Sequence, residues 1–212
     1  MQMEWDALLS QIQTAIAPHR GTGRVANYIP ALASVDPNKF GMAVALGSGE
    51  AYRVGDSDER FSIQSISKVF TLSMALRKVG DDLWKRVGRE PSGSPFNSIV
   101  QLESERGIPR NPLINAGAIV VTDHLVDQIG PDAMIEALLH RIRMLCGNDS
   151  ISVDTAVAAS EAKAGSRNRA LANFMESCGN LRNPVDTVLS AYFSQCAIAM
   201  SCRQLARAGM FR

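Results

Sequence analysis

The sequence predicts an α+β fold, in which a β-hairpin near the start of the chain precedes a mostly helical second half. Short apolar runs on either side of Gly47-Ser48-Gly49 indicate the hairpin. Apolar residues three or four apart, which are typical of amphipathic helices, recur after residue 115. No internal repeat, heptad array or low-complexity segment is present, which argues against a solenoid or a coiled coil. A hairpin followed by many helices is typical of an α+β fold.

Composition limits the kind of protein this can be. With 212 residues, of which 46% are hydrophobic, the chain can bury one large core or two small ones. The 22 Lys and Arg balance the 21 Asp and Glu, so no charge excess predicts binding to nucleic acid or to an anionic membrane. No apolar run approaches the roughly 20 residues of a spanning helix, and Glu4 and Asp6 interrupt the place where a signal peptide would be apolar. We therefore expect a soluble cytoplasmic protein.

Cysteine and histidine spacing predicts no metal centre. The cysteines show no Cys-x-x-Cys pair, and no histidine lies at ligand spacing from another histidine or a cysteine. We expect reduced, buried thiols. The residues concerned are Cys146, Cys178, Cys196, Cys202, His19, His124 and His140.

The first predicted elements are a helix and a hairpin. Residues 4 to about 17 have the apolar period of an amphipathic helix, which Pro18 and Gly21 end. The hairpin has its apolar runs at 42–46 and 51–54.

Residues 61–76 predict a buried helix with a serine-rich beginning. A stretch punctuated by proline and glycine follows at 91–112, and loops of that length are often functional. The residues that suggest burial of the helix are Ile66, Val69, Phe70, Leu72, Ser73 and Leu76.

Further helices are predicted after residue 115, over 131–146 and within 184–208. The second of these has Pro131 in its first turn and Gly147 at its end. We expect a single domain, with a sheet-forming part over approximately 1–62 and a mostly helical part over approximately 63–212.

The run Ser65-Ile66-Ser67-Lys68 could carry nucleophilic chemistry. On a helix, residues three apart share a face, so the serine and the lysine could exchange a proton. A serine attacks only when a base removes its proton, and a lysine is a base only when its pKa is lowered by burial or a nearby cation. Backbone N–H groups of a first helical turn could stabilise an oxyanion. Shielding could come from Ile63, Ile66, Val69 and Phe70.

The same spacing has a plainer interpretation as a helix-capping serine and a solvated lysine. A second match occurs at Ser160 and Lys163. If there is a single active site, at least one match is incidental.

Longer runs resemble the serine-dependent glutaminases. These runs are Phe61–Lys68, preceded by Arg24–Leu32 and followed by Pro109–Ile119. Two more segments, Ser160–Asn168 and Tyr192–Cys196, are similar to family segments in the same order, so the resemblance covers nearly all of the chain.

The resemblance implies a fold, a reaction and a set of site residues. The fold is that of β-lactamases and penicillin-binding proteins, an antiparallel sheet packed with helices beside an all-helical region. The reaction converts L-glutamine and water to L-glutamate and ammonia through a γ-glutamyl-serine, with no cofactor. Ser65 would be the nucleophile and Lys68 its base. The glutamine pocket would consist of Tyr28, Gln64, Ser65, Asn115, Glu161, Asn168 and Tyr192.

These side chains suit the two ends of free glutamine. Its α-ammonium requires a carboxylate such as Glu161, and its α-carboxylate requires amide and hydroxyl donors. Without the resemblance, Asn115 could cap a helix, Asn168 could end a turn, and Gln64 and Glu161 could be solvated. The two tyrosines could be core aromatics with hydroxyls at the surface.

Glutaminases continue well beyond the length of this chain. The additional part would supply further strands, a second catalytic tyrosine and a Lys-Ser-Gly segment, so a protein ending at Arg212 would be weakly active or inactive. Two alternatives are a non-catalytic binding or assembly protein on this fold, and a secreted β-lactamase-like hydrolase with a Ser-x-Asn or Tyr-x-Asn element. The resemblance also implies a homodimer or homotetramer.

Overall fold

Ten α-helices and five short strands form the part of the chain that the computed structural model describes, residues 4–210. The helices are α1 (Trp5–Ile16), α2 (Pro30–Ala33), α3 (Ser67–Val79), α4 (Ile99–Ser104), α5 (Asn115–Ile129), α6 (Pro131–Cys146), α7 (Thr155–Ala164), α8 (Ser166–Ser177), α9 (Val185–Cys196) and α10 (Cys202–Ala208). The strands are β1 (Gly41–Ala45), β2 (Ala51–Gly55), β3 (Phe61–Ser62), β4 (Ser152–Val153) and β5 (Ile198–Met200). Short 3₁₀ turns lie at Ala17–His19, Gln64–Ile66 and Gly80–Lys85. Over residues 4–210, we find no helix with the length and apolar character needed to cross a lipid bilayer.

The prediction of an α+β chain is confirmed, since β1 with β2 and β3 with β5 form antiparallel pairs and the second half is mostly helical. The predicted helices at 4–17 and 131–146 are α1 and α6, and the predicted hairpin is β1 and β2. Several elements were not predicted individually. Among them, α4 lies within the proline-rich stretch, and β5 lies between α9 and α10. Arg212, after which the resemblance predicts further strands, lies outside the described residues.

The chain divides into two compact units. Unit 1 comprises residues 1–62, 140–152 and 199–212, and unit 2 comprises residues 63–139 and 153–198. Whether they form the single domain that the sequence predicts stays a prediction.

Unit 1 is built on the β1–β2 hairpin, which α1 and α10 contact. The hairpin register pairs Gly41 with Gly55 and Ala45 with Ala51. A short second sheet has the strand order β3-β5-β4. Within this unit Arg60 links strand residues by donating to Ser152 Oγ at 3.2 Å and to the Ala199 carbonyl at 3.0 Å.

Unit 2 is organised around α5, whose residues from Asn115 to Val126 are all buried. Helices α3, α8 and α9 pack against it, and α7 packs on α9. A helix that is buried on every side needs partners for its polar side chains.

The predicted helix at 61–76 is wrong in its start and in its burial. The chain forms β3, then a 3₁₀ turn, and α3 begins only at Ser67. The side chains of Ile66, Val69 and Leu76 are exposed to 44%, 43% and 36%. Phe70 is buried as predicted, and the other buried residues of α3 are Ser67, Lys68, Thr71 and Ala75. The apolar spacing identified the helix but not the face that packs, because a lysine lies on that face.

Candidate active site

Lys68 is buried in the first turn of α3, with only 3% of its surface exposed. Its Nζ donates to the Leu113 carbonyl at 3.1 Å and to Asn115 Oδ1 at 2.8 Å. Burial lowers the pKa of Lys68 from its ordinary value, because the ammonium form loses its hydration. In the described part of the chain no carboxylate pairs with this lysine. The surroundings therefore favour the neutral amine.

The amide of Asn115 is held in one orientation. Its Nδ2 donates to Asn168 Oδ1 at 2.9 Å, which leaves Oδ1 to accept from Lys68. The N-cap position of α5 is occupied by Ile114, and the side chain of Asn115, the first residue of the helix, bonds to Lys68 and Asn168. The capping interpretation of this asparagine is therefore wrong. Asn168 lies within α8, so its interpretation as the end of a turn is also wrong.

The loop before α5 supplies the second acceptor. Asn111 Oδ1 accepts from the backbone N–H of Leu113 at 3.0 Å and of Ile114 at 3.2 Å, which fixes the loop. Gly117 allows the close approach, since a Cβ there would lie 1.9 Å from the Asn111 carbonyl oxygen. The position of the Leu113 carbonyl therefore depends on Gly117, which lies in α5.

Ser65 lies in the 3₁₀ turn Gln64–Ile66, one turn before Lys68 in sequence, and it is exposed. Its neighbour Gln64 has a φ of 48°, a left-handed conformation that is uncommon for a residue with a side chain. Such strained residues cluster at functional sites. Of the four residues predicted to shield the lysine, Ile63 and Phe70 are buried, whereas Ile66 and Val69 are exposed.

Glu161 lies buried on α7, with 7% of its surface exposed, so the interpretation as a solvated charge is wrong. Burial raises the pKa of this carboxyl, and a hydrogen bond from the Gln64 amide partly lowers it. Gln64 and Glu161 are thus brought together.

Cys196 lies at the end of α9, beside Lys68 and Glu161, and its thiol faces the hydroxyl groups of Ser67 and Tyr192. Burial is the main cause that raises the pKa of Cys196 to about 12. The thiol is therefore neutral near pH 7, so it supplies neither a thiolate nucleophile nor a counter-charge for the lysine.

The two tyrosines differ in their surroundings. Tyr192 is buried on α9, as a core aromatic would be, with 2% of its surface exposed. Tyr28 belongs to unit 1, and 67% of its surface is exposed, so it is not a core aromatic. Its place in a glutamine pocket stays a prediction.

The second Ser-x-x-Lys match differs from the first in burial. Lys163 is exposed in the last turn of α7, whereas Lys68 is buried. Burial therefore separates the two matches.

The four cysteines are free, but Cys178 is exposed and Cys202 half-buried, so the expectation of four buried thiols is wrong for these two. Among residues 4–210 no group of three or more histidine, cysteine or acidic side chains could hold a metal ion.

The Leu113 carbonyl and Cys196 were not among the predicted site residues. A backbone carbonyl carries no residue-type signal, and a cysteine in an apolar helix is usually a core residue. The run Ser166-Arg167-Asn168 has the Ser-x-Asn spacing found in β-lactamases, so that spacing does not separate the two enzyme classes.

Sequence and structure comparisons agree on one family. The sequence profile of the family described as Glutaminase matches residues 23–211. A glutaminase of Rhizobium etli (strain CIAT 652) is 61% identical over 205 residues, which are 97% of this chain and 66% of that protein. The chain thus spans slightly less than two thirds of the relative's length.

Two solved structures share the fold. The native form of Mglu is 33% identical, with a TM-score of 0.89, and the match covers 99% of this chain and 50% of that one. A probable glutaminase of Bacillus subtilis is 30% identical, with a TM-score of 0.85, and the match covers 97% of this chain and 63% of that one. The predicted β-lactamase-like α+β fold is confirmed by this likeness. The chain belongs to the glutaminase family.

Proposed function

We propose that the protein hydrolyses the side-chain amide of L-glutamine, with Ser65 as nucleophile and Lys68 as its base. The observation that carries the proposal is the buried Lys68 amine, which has two oxygen acceptors and no carboxylate partner among the described residues. Membership of the glutaminase family supports the substrate. The related protein Mglu has been solved in its glutamate form.

The hydrogen bonds of Lys68 fit a neutral base. A neutral amine has two N–H bonds and one lone pair. The Leu113 carbonyl and Asn115 Oδ1 can take the two N–H bonds, at 3.1 and 2.8 Å. The lone pair then points to the remaining tetrahedral position and can accept the proton of Ser65. Both acceptors also favour the ammonium once it forms, so the lysine can hold the proton until a leaving group takes it.

The reaction proceeds in two steps. Ser65 Oγ attacks the γ-amide carbonyl carbon while its proton passes to Lys68, and the tetrahedral intermediate collapses to a γ-glutamyl ester. The lysine returns the proton to the departing nitrogen, which leaves as ammonia. Water then attacks the ester, loses a proton to the lysine, and releases glutamate as Ser65 regains its proton.

We propose that the remaining predicted residues recognise the free amino acid. Glu161 would bind the α-ammonium, and Asn115, Asn168 and Tyr192 would donate to the α-carboxylate. Tyr28 and Gln64 would complete the pocket. Support comes from the burial of Glu161 and its hydrogen bond with Gln64, because a buried carboxylate near a nucleophile needs a cationic or donor partner.

A site that requires both ends of free glutamine rejects asparagine and glutaminyl peptides. Each would leave a buried polar group unpaired, which is the basis of strong discrimination. We further propose that the protein is cytoplasmic. We also propose that it forms a homodimer or homotetramer, and light scattering after gel filtration measures this oligomeric state.

The test is ammonia release from L-glutamine, followed with a coupled glutamate dehydrogenase assay. We expect turnover in the protein at the full length of its glutaminase relatives, and none in the Ser65→Ala variant of that protein. The matched control is Ser160→Ala, the serine of the second Ser-x-x-Lys match, which should retain turnover. Equal turnover in Ser65→Ala and the unchanged protein would refute the proposed nucleophile. Hydrolysis of a β-lactam without glutamine turnover would favour the β-lactamase-like alternative.

A further inference from the structure

The turn at residues 95–98, directly before α4, is bonded to the start of α5. Its backbone closes where the Ser98 N–H donates to the Pro95 carbonyl at 2.9 Å. The carbonyl of the next residue, Phe96, accepts from the backbone N–H of Asn115 at 2.9 Å. Asn115 is the first residue of α5, and the first N–H groups of a helix have no partner within it. The turn therefore satisfies one of these donors and fixes the backbone of Asn115.

The same turn is bonded to the start of α8. Arg167, in the first turn of that helix, donates from Nε to the Asn97 carbonyl at 3.0 Å. The turn, α5 and α8 all belong to unit 2. A hydrogen bond from a charged guanidinium is stronger than one from a neutral donor. Arg167 therefore ties α8 to the turn that holds Asn115.

Helix stability does not account for an arginine at this position. The N–H groups of a first helical turn carry partial positive charge, so a cation there is disfavoured. Arg167 is also exposed, so it gains little from burial of its stem. Among residues 4–210, the arginine of α8 that forms an ion pair is Arg169, which pairs with Asp186. The bond to the Asn97 carbonyl is therefore the contact that gives Arg167 a structural role.

The two asparagines of the candidate site close these contacts into a ring. Asn168 follows Arg167 in α8, and its Oδ1 accepts from Asn115 Nδ2 at 2.9 Å. The ring passes from Asn168 along the chain to Arg167, across to the turn at 95–98, and from the turn back to Asn115. Each hydrogen bond of the ring limits the movement that the others allow. Loss of the Arg167 bond should therefore loosen the asparagine pair.

The ring also reaches the proposed base. Asn115 Oδ1 accepts from Lys68 Nζ at 2.8 Å, so the same amide contacts Lys68 and Asn168. A small displacement of Asn115 would disturb both contacts.

We propose that Arg167 is a positioning residue for glutamine binding. It holds the turn at 95–98 against α8, and the turn holds the backbone of Asn115, so that Asn115 and Asn168 keep the separation that the substrate α-carboxylate requires. The inference rests on the proposed function, which assigns that carboxylate to the two asparagines. Arg167 acts through them and needs no contact with the substrate.

A direct electrostatic role of Arg167 makes a different prediction. A cation beside Asn168 could attract the α-carboxylate through its charge alone, whereas positioning requires the N–H donor. Glutamine at position 167 separates the two roles. Its Nε2 lies at the same place along the side chain as arginine Nε, and it is a donor without a charge.

The experiment measures kcat and KM for glutamine in the protein at the full length of its glutaminase relatives. Arg167→Met removes the donor, and KM should rise roughly three- to tenfold, the effect of one hydrogen bond, with a smaller fall in kcat. Arg167→Gln keeps a donor and should keep KM within about twofold. Partial unfolding would lower kcat through the fraction of active enzyme and would leave KM unchanged. A merely structural role therefore does not give the expected pattern.

Arg169→Met is the matched control, because it removes an exposed arginine from the same helix and should leave KM unchanged. An unchanged KM in Arg167→Met would overturn the positioning role. An equal rise of KM in Arg167→Gln and Arg167→Met would overturn it in favour of the charge, and an equal rise in Arg169→Met would show that the effect is not specific to position 167. These results refute the inference alone, since glutamine is still turned over. Absence of turnover in the unchanged full-length protein would refute the proposed function and the inference with it.

Discussion

Lys68 and Asn115 are 47 residues apart in sequence and are joined by a hydrogen bond of 2.8 Å between Nζ and Oδ1. The Asn115 amide directs Oδ1 toward the lysine amine because its Nδ2 donates to Asn168 Oδ1 at 2.9 Å. An amide oxygen orients the lysine without supplying a negative charge. A carboxylate in the same place would stabilise the ammonium and remove the base.

Asn115→Asp should therefore inactivate the enzyme near neutral pH and recover with rising pH. A carboxylate at hydrogen-bond distance raises the pKa of Lys68, so fewer molecules carry the neutral amine, and kcat/KM should fall roughly tenfold or more at pH 7. In the unchanged protein the pKa of Lys68 is lowered. Its kcat/KM should therefore reach a plateau at a lower pH than the kcat/KM of the variant. The measurement is kcat/KM for glutamine from pH 6 to 10. A loss that is the same at every pH would indicate damaged substrate binding instead.

The two Ser-x-x-Lys lysines should respond differently to the same substitution. Lys68→Met removes a buried amine and should lower kcat about 10²- to 10⁴-fold, the contribution of a general base. Lys163→Met removes an exposed amine of the same length and should keep kcat within about twofold. Steady-state ammonia release checks both. Loss of activity in Lys163→Met with retention in Lys68→Met would assign the chemistry to the other motif.

Gly117→Ala should damage the lysine site from a distance. The added methyl would lie 1.9 Å from the Asn111 carbonyl oxygen, so the loop before α5 must move and carry the Leu113 carbonyl away from Lys68. We expect a loss of about 1–3 kcal/mol in the free energy of unfolding, together with a lower kcat. Urea unfolding and ammonia release measure these. The control is Gly23→Ala, where a Cβ meets no atom within 4 Å, and equal effects of the two substitutions would contradict the argument.

The sequence predicted which residues belong to the candidate site better than it predicted which of them are buried. The Ser65–Lys68 spacing identified the pair, but not that Lys68 would lie on the packed face of α3 while Ile66 and Val69 are exposed. Hydrophobicity assigns leucine-like side chains to the interior and lysine to the surface, and the buried Lys68 reverses that assignment. Burial of the amine depends on α5 and its loop, about 45 residues further along the chain.

The orientation of the site side chains could not be predicted from local sequence patterns either. Asn115 at a helix start favours a capping interpretation, and only the positions of Lys68 and Asn168 show why its amide turns inward. Glu161 has the local sequence of a solvated helix, and it is buried because of the helices that pack around it. The family resemblance singled out these residues as candidates because it carries information on long-range contacts that periodicity lacks.

Glu161→Gln should raise KM for glutamine more than it lowers kcat. The amide keeps the size of the side chain but loses the charge that we propose to bind the α-ammonium, so ground-state and transition-state binding weaken together. Charge-assisted hydrogen bonds are roughly twice as strong as neutral ones, and KM should rise roughly tenfold or more. In the unchanged enzyme, KM should also rise as the pH falls toward the raised pKa of Glu161. An unchanged KM in the variant would remove Glu161 from the pocket.

Asp123 should matter for stability far more than an exposed aspartate with the same type of partner. It is fully buried on α5, pairs with Arg86, and accepts from the backbone N–H of Arg182 and of Asn183. Removing one member of a buried pair leaves an uncompensated charge, so Asp123→Ala should cost about 3–5 kcal/mol in the free energy of unfolding. Asp186, whose partner Arg169 is also exposed, is the matched control, and Asp186→Ala should cost less than about 1 kcal/mol. Chemical denaturation of both variants under the same conditions gives the comparison. Similar losses would mean that water enters the Arg86–Asp123 pair and screens the uncompensated charge.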